Sequence, residues 1–269
     1  LDSNKTSLFN DLRLKKPLIH HITNKVTIND CANVVLAIGG SPVMADAPEE
    51  VGDMVKQSQA LVLNMGTLSE SAYTAMIRAG RKANEMDIPI ILDPVGVGAT
   101  PFRKQKAKGL LSHLKMTIIR GNASEIATLI GEFTQTKGVD SGTVPYSSSE
   151  LAVKAAKTLN SIVVVSGEID YVSDGTQTIA IHNGTPLLQK VTGTGCMSTS
   201  LIASFSSVSH SFFEAACVGM SVMGIAGERA EEYAGPNKGL GTFRQKVMDE
   251  ISQMNEHYWK ECVRFEKVI

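Results

Sequence analysis

Short apolar runs alternate with longer amphipathic stretches through the first two thirds of the chain. Residues 17–22, 60–64, 89–93, 116–119 and 161–166 are brief, rich in Ile, Leu and Val, and bounded by loop formers, as strands are. Between them, residues 24–38, 69–86, 101–113 and 149–160 repeat their apolar positions with the period of a helix that buries one face. Ile88-Pro89-Ile90-Ile91-Leu92 is apolar without alternation, which predicts a strand covered on both faces. Residues 170–173 and 176–182 flank Ser173-Asp174-Gly175 and read as a hairpin. Beyond it the pattern is helical to the end of the chain, over 197–208, 212–233 and 241–256. This order predicts a three-layer α/β/α fold around a mostly parallel sheet. With no repeat, low-complexity tract or long linker, residues 1–269 read as one domain.

In open α/β sheets, ligands bind beyond the C-terminal ends of the strands. The polar residues that follow the apolar runs therefore converge on one expected site. They are Asn64-Met65-Gly66-Thr67, Asp93-Pro94-Val95-Gly96, Arg120-Gly121-Asn122 and Ser166-Gly167-Glu168.

A second signal is Val191-Thr192-Gly193-Thr194-Gly195-Cys196-Met197-Ser198, a glycine-rich turn that leads into a helix. Free amides and the helix dipole at such a terminus attract an anion of phosphate size. Cys196 falls in the first turn, where the dipole favours a thiolate. An anion site beside an activated side chain suggests phosphoryl transfer. The alternative for Cys196 is a buried packing thiol.

Other motifs stay open between two readings. Asp93 is a magnesium ligand or a turn residue before Pro94. Arg120 has the geometry to hold a phosphate. Glu125 joins Asp93 at a metal, or else completes a helix capping box with Asn122, with Ser124 as a second candidate cap. Gly193-x-Gly195-x-x-Ser198 falls short of a dinucleotide fingerprint, because the acid at a suitable distance, Glu214, lies in a helical pattern. The P-loop pattern is absent. His20 and His21 adjoin on a strand and face opposite ways, which argues against a two-histidine metal clamp. Met44, Cys31, Cys217 and Cys262 read as packing residues.

Composition narrows the field. Of 269 residues 43% are hydrophobic and 20% charged, the balance of a globular chain with a sizeable core. A net charge of −1 offers no basis for nucleic acid or an anionic membrane as partner. The four cysteines have no C-x-x-C spacing, which excludes a simple zinc motif and fits a reducing, cytoplasmic setting. The polar residues 1–16 do not read as a secretory signal, and no apolar run reaches the ~18 residues of a membrane helix.

Taken together, six segments resemble the hydroxyethylthiazole kinase family of the ribokinase-like superfamily. They are Pro17-Leu18-Ile19-His20-His21-Ile22-Thr23-Asn24, Gly40-Ser41-Pro42-Val43-Met44, Leu63-Asn64-Met65-Gly66-Thr67, Leu92-Asp93-Pro94-Val95-Gly96, Arg120-Gly121-Asn122-Ala123-Ser124-Glu125 and Gly193-Thr194-Gly195-Cys196. The resemblance implies transfer of the ATP γ-phosphoryl group to the primary alcohol of 5-(2-hydroxyethyl)-4-methylthiazole, in thiazole salvage for thiamine. It places Arg120 and Ser166 on ATP, and Asp93 and Glu125 on the magnesium (Mg2+) side. Met44, Gly193, Asn24 and Val26 fall at the thiazole, and Gly193, Thr194, Gly195 and Cys196 at the transferred phosphoryl group. Ser166 stands where the family often has threonine, and Cys196 where most of the superfamily has a catalytic aspartate. The resemblance also implies a homotrimer with active sites at subunit boundaries. Only a short helix and one strand precede residue 24, so no separate lid domain is expected, and a neighbouring subunit is a natural cover. Two competing readings are another ribokinase-like kinase, for hydroxymethylpyrimidine or pyridoxal, and a nucleotide-binding sensor without turnover.

Overall fold

The structure, a computed structural model, describes residues 8–132, 146–235 and 239–269. Along the first half run α1 (Leu8–Lys15), β1 (Leu18–Ile22), α2 (Ile28–Ile38), β2 (Ser41–Val43), α3 (Val51–Gln57), β3 (Ala60–Asn64), α4 (Glu70–Glu85), β4 (Ile90–Asp93), α5 (Pro101–His113), β5 (Ile118–Asn122) and α6 (Ala123–Leu129). Then come α7 (Ser148–Leu159), β6 (Ile162–Ser166), β7 (Asp170–Ser173), β8 (Thr178–Ile181), a 3-10 turn (Pro186–Lys190), α8 (Thr194–Ser206), α9 (Phe212–Ala234), α10 (Leu240–Gln253), α11 (Glu256–Cys262) and β9 (Phe265–Lys267).

The strands of the described residues form one sheet in the order β2-β1-β3-β4-β5-β6-β7-β8-β9. From β2 to β6 all neighbours are parallel, and β7, β8 and β9 are added antiparallel. Successive residues of each strand enter opposite layers. Ile19, Val62, Ile91, Ile118 and Val164 pack under α1, α2 and α8–α11, whereas Leu61, Leu63, Ile90, Leu92 and Ile119 pack under α3–α7. The three-layer arrangement around a mostly parallel sheet that the pattern predicts is thus present. Among the described residues, no second sheet forms a lid, and no helix is long and apolar enough to cross a membrane. Residues 1–7, part of the segment before residue 24, lie outside the described residues.

Helix starts follow local chemistry. Ser69, Thr100 and Ser147 cap α4, α5 and α7 with their hydroxyls, and Pro101 occupies the first turn of α5. Of the two candidate caps for α6, Asn122 is the one used, and Glu125 completes the capping box.

Five elements depart from the pattern. The helix expected from residue 24 starts at Ile28, because the Asn24 side chain accepts the amides of Val26 and Thr27 and holds 24–27 as a loop. β2 and α3 have no counterpart in the pattern: β2 is a three-residue edge strand containing Pro42, and α3 has seven residues, too few to show a period. β8 begins at Thr178, since the Asp174 carboxylate accepts the amides of Thr176 and Gln177 and keeps them in the turn. The tail is not helical throughout, because Phe265–Lys267 pairs with β8, a strand made by its partner rather than by its own pattern.

α8 is buried from Met197 to Ser206 even though it carries many hydroxyls. Ser198, Ser200, Ser204 and Ser206 each donate to the carbonyl four residues back, so no desolvated donor is left behind. This lets a polar helix run through the core and aim its N-terminus at the strand ends.

Candidate active site

A cavity of about 390 Å³ opens at the C-terminal ends of the central strands. At its floor, Gly193 caps α8 with a left-handed φ of 92° and no side chain to bond the first-turn amides. The first amide engaged within the helix is that of Met197, donating to the Gly193 carbonyl at 2.8 Å. The amides of Thr194, Gly195 and Cys196 lie ahead of it, where a helix offers no acceptor. Gly193, Gly195 and Cys196 line the cavity together with Asp93. The glycines are required by contact as well as by backbone angle. A Cβ on Gly193 would meet Thr27 Cγ2 at 2.9 Å, and one on Gly195 would meet Arg120 Nη1 at 2.7 Å.

A buried hydrogen-bond chain joins the loop after β1 to the ends of β3 and β4 and to α8. Asn64 and Asp93 stand opposite each other in register. Asn64 Nδ2 donates to Asp93 Oδ2 at 2.9 Å and to Cys196 Sγ at 3.3 Å. Asn24 Nδ2 donates to Asn64 Oδ1 at 2.9 Å and to the same sulfur at 3.3 Å. Thr199 Oγ1 adds a second donor to Asp93 Oδ2 at 3.0 Å. Asp93 Oδ1 is buried with no partner. Burial pushes the Asp93 carboxyl up to about 6, against the pull of the Arg120 charge and with a further push from Glu125.

On the far side, Arg120, Glu125 and Ser166 line the same cavity. Arg120 Nε is buried without a partner, and the guanidinium packs on Gly195. Ser166 Oγ donates to the Gly121 carbonyl at 3.3 Å. Glu125 accepts the amide of Gly96 on Oε1 at 2.8 Å and that of Asn122 on Oε2 at 3.0 Å, and each oxygen keeps a lone pair. Among the described residues no group of three His, Cys, Asp or Glu side chains forms a ready metal cage. The bare Oδ1 of Asp93 with Glu125 makes instead the sparse, all-oxygen donor set that magnesium accepts when phosphates and water supply the rest.

The sequence matches the model of the "Hydroxyethylthiazole kinase family" over residues 9–257. The chain belongs to the hydroxyethylthiazole kinase family. It is 49% identical over 251 residues to the hydroxyethylthiazole kinase of Alkaliphilus oremlandii, covering 93% of each chain. A solved hydroxyethylthiazole kinase structure from Pyrococcus horikoshii OT3 superposes with a TM-score of 0.86 at 36% identity, over 97% of this chain and 98% of that one. The pyridoxal kinase of Staphylococcus aureus, solved with AMP-PCP and pyridoxal, shares the fold at a TM-score of 0.58 and 14% identity, over 78% of this chain and 87% of that one.

Most residues that the resemblance to this kinase family singled out meet in the cavity: Asn24, Val26, Asp93, Arg120, Glu125, Ser166, Gly193, Gly195 and Cys196. Two do not. Thr194 turns its hydroxyl away, to the Leu188 carbonyl at 2.9 Å. Met44 follows the edge strand β2, half-buried, and is not among the residues that line the cavity. The surroundings of Cys196 run against the thiolate expectation: burial, and then the nearby Asp93 charge, push its thiol up despite the hydrogen bonds it receives. His20 and His21 do face opposite ways, and both are buried. His20 Nε2 reaches the Ala45 carbonyl at 2.7 Å, and His21 Nε2 lies 3.0 Å from Ser200 Oγ on α8. Sequence reasoning placed Asn64 at the expected site without a partner, and gave Arg103 no role. Asn64 had a signal, as a polar residue closing an apolar strand beside Asp93. Arg103 had none: from α5 it donates to the carbonyls of Met65, Gly66 and Val95 and ties the loops after β3 and β4 together.

Proposed function

We propose that this chain is an ATP-dependent kinase that phosphorylates the primary alcohol of 5-(2-hydroxyethyl)-4-methylthiazole, salvaging the thiazole for thiamine biosynthesis. The observation that carries the reading is the open N-terminus of α8 in one cavity with Asp93 and Arg120. Free amides, a helix dipole and a guanidinium aimed at one point suit a migrating phosphoryl group more than a neutral ligand.

In this reading Arg120 and Ser166 hold the nucleotide phosphates. The amides of residues 194–196 receive the negative charge on the equatorial oxygens as the bond from γ-phosphorus to the bridging oxygen breaks. The alcohol oxygen attacks in line from the side of Asn24, Val26 and Gly193. Cys196, a thiol at rest and held by two amide donors, orients that oxygen. The alcohol proton leaves late, to the phosphoryl oxygens, because a loose transition state needs little activation of the nucleophile. Asp93 and Glu125 would hold Mg2+, which supplies charge neutralisation between the phosphates. The Arg103 clamp keeps the loops that carry Gly66 and Val95 in place at the cavity wall.

We extend the reading to assembly and setting. Met44 lies away from the cavity of its own chain, and Val26 at the cavity mouth is 66% exposed, so both suit a homotrimer whose active sites are completed across subunit boundaries. The four cysteines are free, which suits the cytoplasm, and residues 1–269 are taken to act as one kinase domain. Incubation with Mg-ATP and the thiazole alcohol, followed by mass spectrometry, should reveal the phosphate ester. ADP release with pyridoxal or hydroxymethylpyrimidine, and none with the thiazole, would replace this substrate by another.

A further inference from the structure

An ion pair lies directly behind the glycine turn, outside the residues that line the cavity. Asp30, in the first turn of α2, has a side chain only 11% exposed and accepts a hydrogen bond from Nη2 of Arg244 on α10. The other carboxylate oxygen, Oδ2, would be 3.6 Å from a Cβ at Gly193. A nearly buried negative group thus sits in van der Waals range of the residue that caps α8. An anion held by the amides of 194–196 would feel it, since charge–charge energies fall only as the inverse of distance and are weakly screened away from solvent.

The pair makes little sense as a stabilising device. The Arg244 side chain is 54% exposed, and ion pairs with an exposed member contribute little to folding. Its position makes sense as charge compensation. α10 packs on α2, which brings a guanidinium to the carboxylate that backs the turn.

We propose that Arg244 is a positioning residue for the phosphoryl site. By pairing with Asp30 it cancels the negative charge behind Gly193 and so preserves the affinity of the α8 terminus for polyphosphate. It touches neither nucleotide nor alcohol and acts through Asp30. The proposal rests on the reading of residues 193–196 as a phosphate site, and it does not depend on which alcohol is phosphorylated.

The test is binding of Mg-ATP to the full chain by calorimetry, with no alcohol present, alongside thermal unfolding. Arg244→Ala should weaken Mg-ATP about tenfold, by leaving Asp30 uncompensated. Asp30→Asn alone should bind as the parent does or more tightly. The double variant, Asp30→Asn with Arg244→Ala, should recover affinity to within about twofold although the ion pair is gone. Its unfolding temperature should not rise above that of the parent, which separates charge compensation from packing. Arg244→Gln serves in place of Arg244→Ala if the latter folds poorly. Parental affinity in both Arg244 variants would overturn the proposal, as would a double variant as weak as the single one. A parent protein that fails to bind Mg-ATP would sink both this proposal and the kinase reading. Binding with no thiazole ester formed would sink the substrate assignment alone.

Discussion

Gly195 lies directly against Arg120: a Cβ placed on the glycine would stand 2.7 Å from Nη1 of the guanidinium. The anion-binding turn and the cation that faces it are therefore in contact, and the absence of a side chain at 195 sets how closely they approach. Gly195→Val should push the guanidinium away and cover the amide. We expect turnover to fall about 10²–10³-fold, the usual loss when one oxyanion donor is removed. The unfolding temperature should change far less, because the displaced group borders a cavity. Steady-state kinetics with a melting curve would check this, and unchanged turnover would remove the turn from the mechanism.

Cys196→Asp should remain active. Asn24 and Asn64 both donate to the atom at this position, so an introduced carboxylate would inherit two amide hydrogen bonds and could take the alcohol proton as a base. We expect turnover within about tenfold of the parent or above it, whereas Cys196→Leu, which removes the sulfur acceptor from one N–H of each amide, should lose activity and stability together. Turnover measured for the pair decides the point. A folded but inert Cys196→Asp would argue against any contact between this side chain and the alcohol.

Asp93→Asn should separate stability from function. Burial above all lifts the Asp93 carboxyl to about 6, above its ordinary range. A carboxyl raised on folding favours the fold when protonated; that contribution is present below about pH 4 and is lost as pH rises through about 6. In metal-free protein near neutral pH, Asn at this position should therefore stabilise by about 1–3 kcal/mol, with the gain vanishing below about pH 4. Its oxygen can still accept from Asn64 and Thr199. Phosphoryl transfer should be lost. Urea titrations at three pH values would show the pattern, and a destabilised variant near neutral pH would contradict it.

His21 should act in the opposite direction. Complete burial lowers it to about 4, offset in part by its bond to the Ile19 carbonyl. A base lowered on folding contributes stability that is present above about pH 6.5 and lost as pH falls toward about 4. Asp93 gains over nearly the same interval and so opposes the loss at His21. His21→Gln, which cannot take up the proton, should become more stable relative to the parent by about 1–3 kcal/mol on acidification across that window. Chemical denaturation at the two ends of the window measures it, and parallel curves for parent and variant would refute it.

Much of the architecture and part of the site were legible before any coordinates. Ile90-Ile91-Leu92, apolar without alternation, announced a strand covered by two layers, and both layers are there. Gly193-Thr194-Gly195-Cys196 announced a bare helix terminus, because only small residues there leave amides open. The Asn122–Glu125 spacing announced a capping box. Each is a local rule, satisfied within a few residues of the chain. What escaped were elements and contacts too short or too distant to carry a period. β9 exists only because β8 offers it an edge, and the Asp30–Arg244 pair joins positions 214 residues apart.

Cys196 divides the two kinds of information most sharply. Its place after Gly195, at the start of a helix, is a property of the sequence, since backbone geometry and small side chains dictate it. Its protonation state is a property of the tertiary structure. Burial and the Asp93 charge, delivered by a strand about a hundred residues earlier in the chain, push the thiol up against the hydrogen bonds it receives. Periodicity and turn chemistry act along the chain and can be read from it. Desolvation and charge act through space, and are settled only when the layers close.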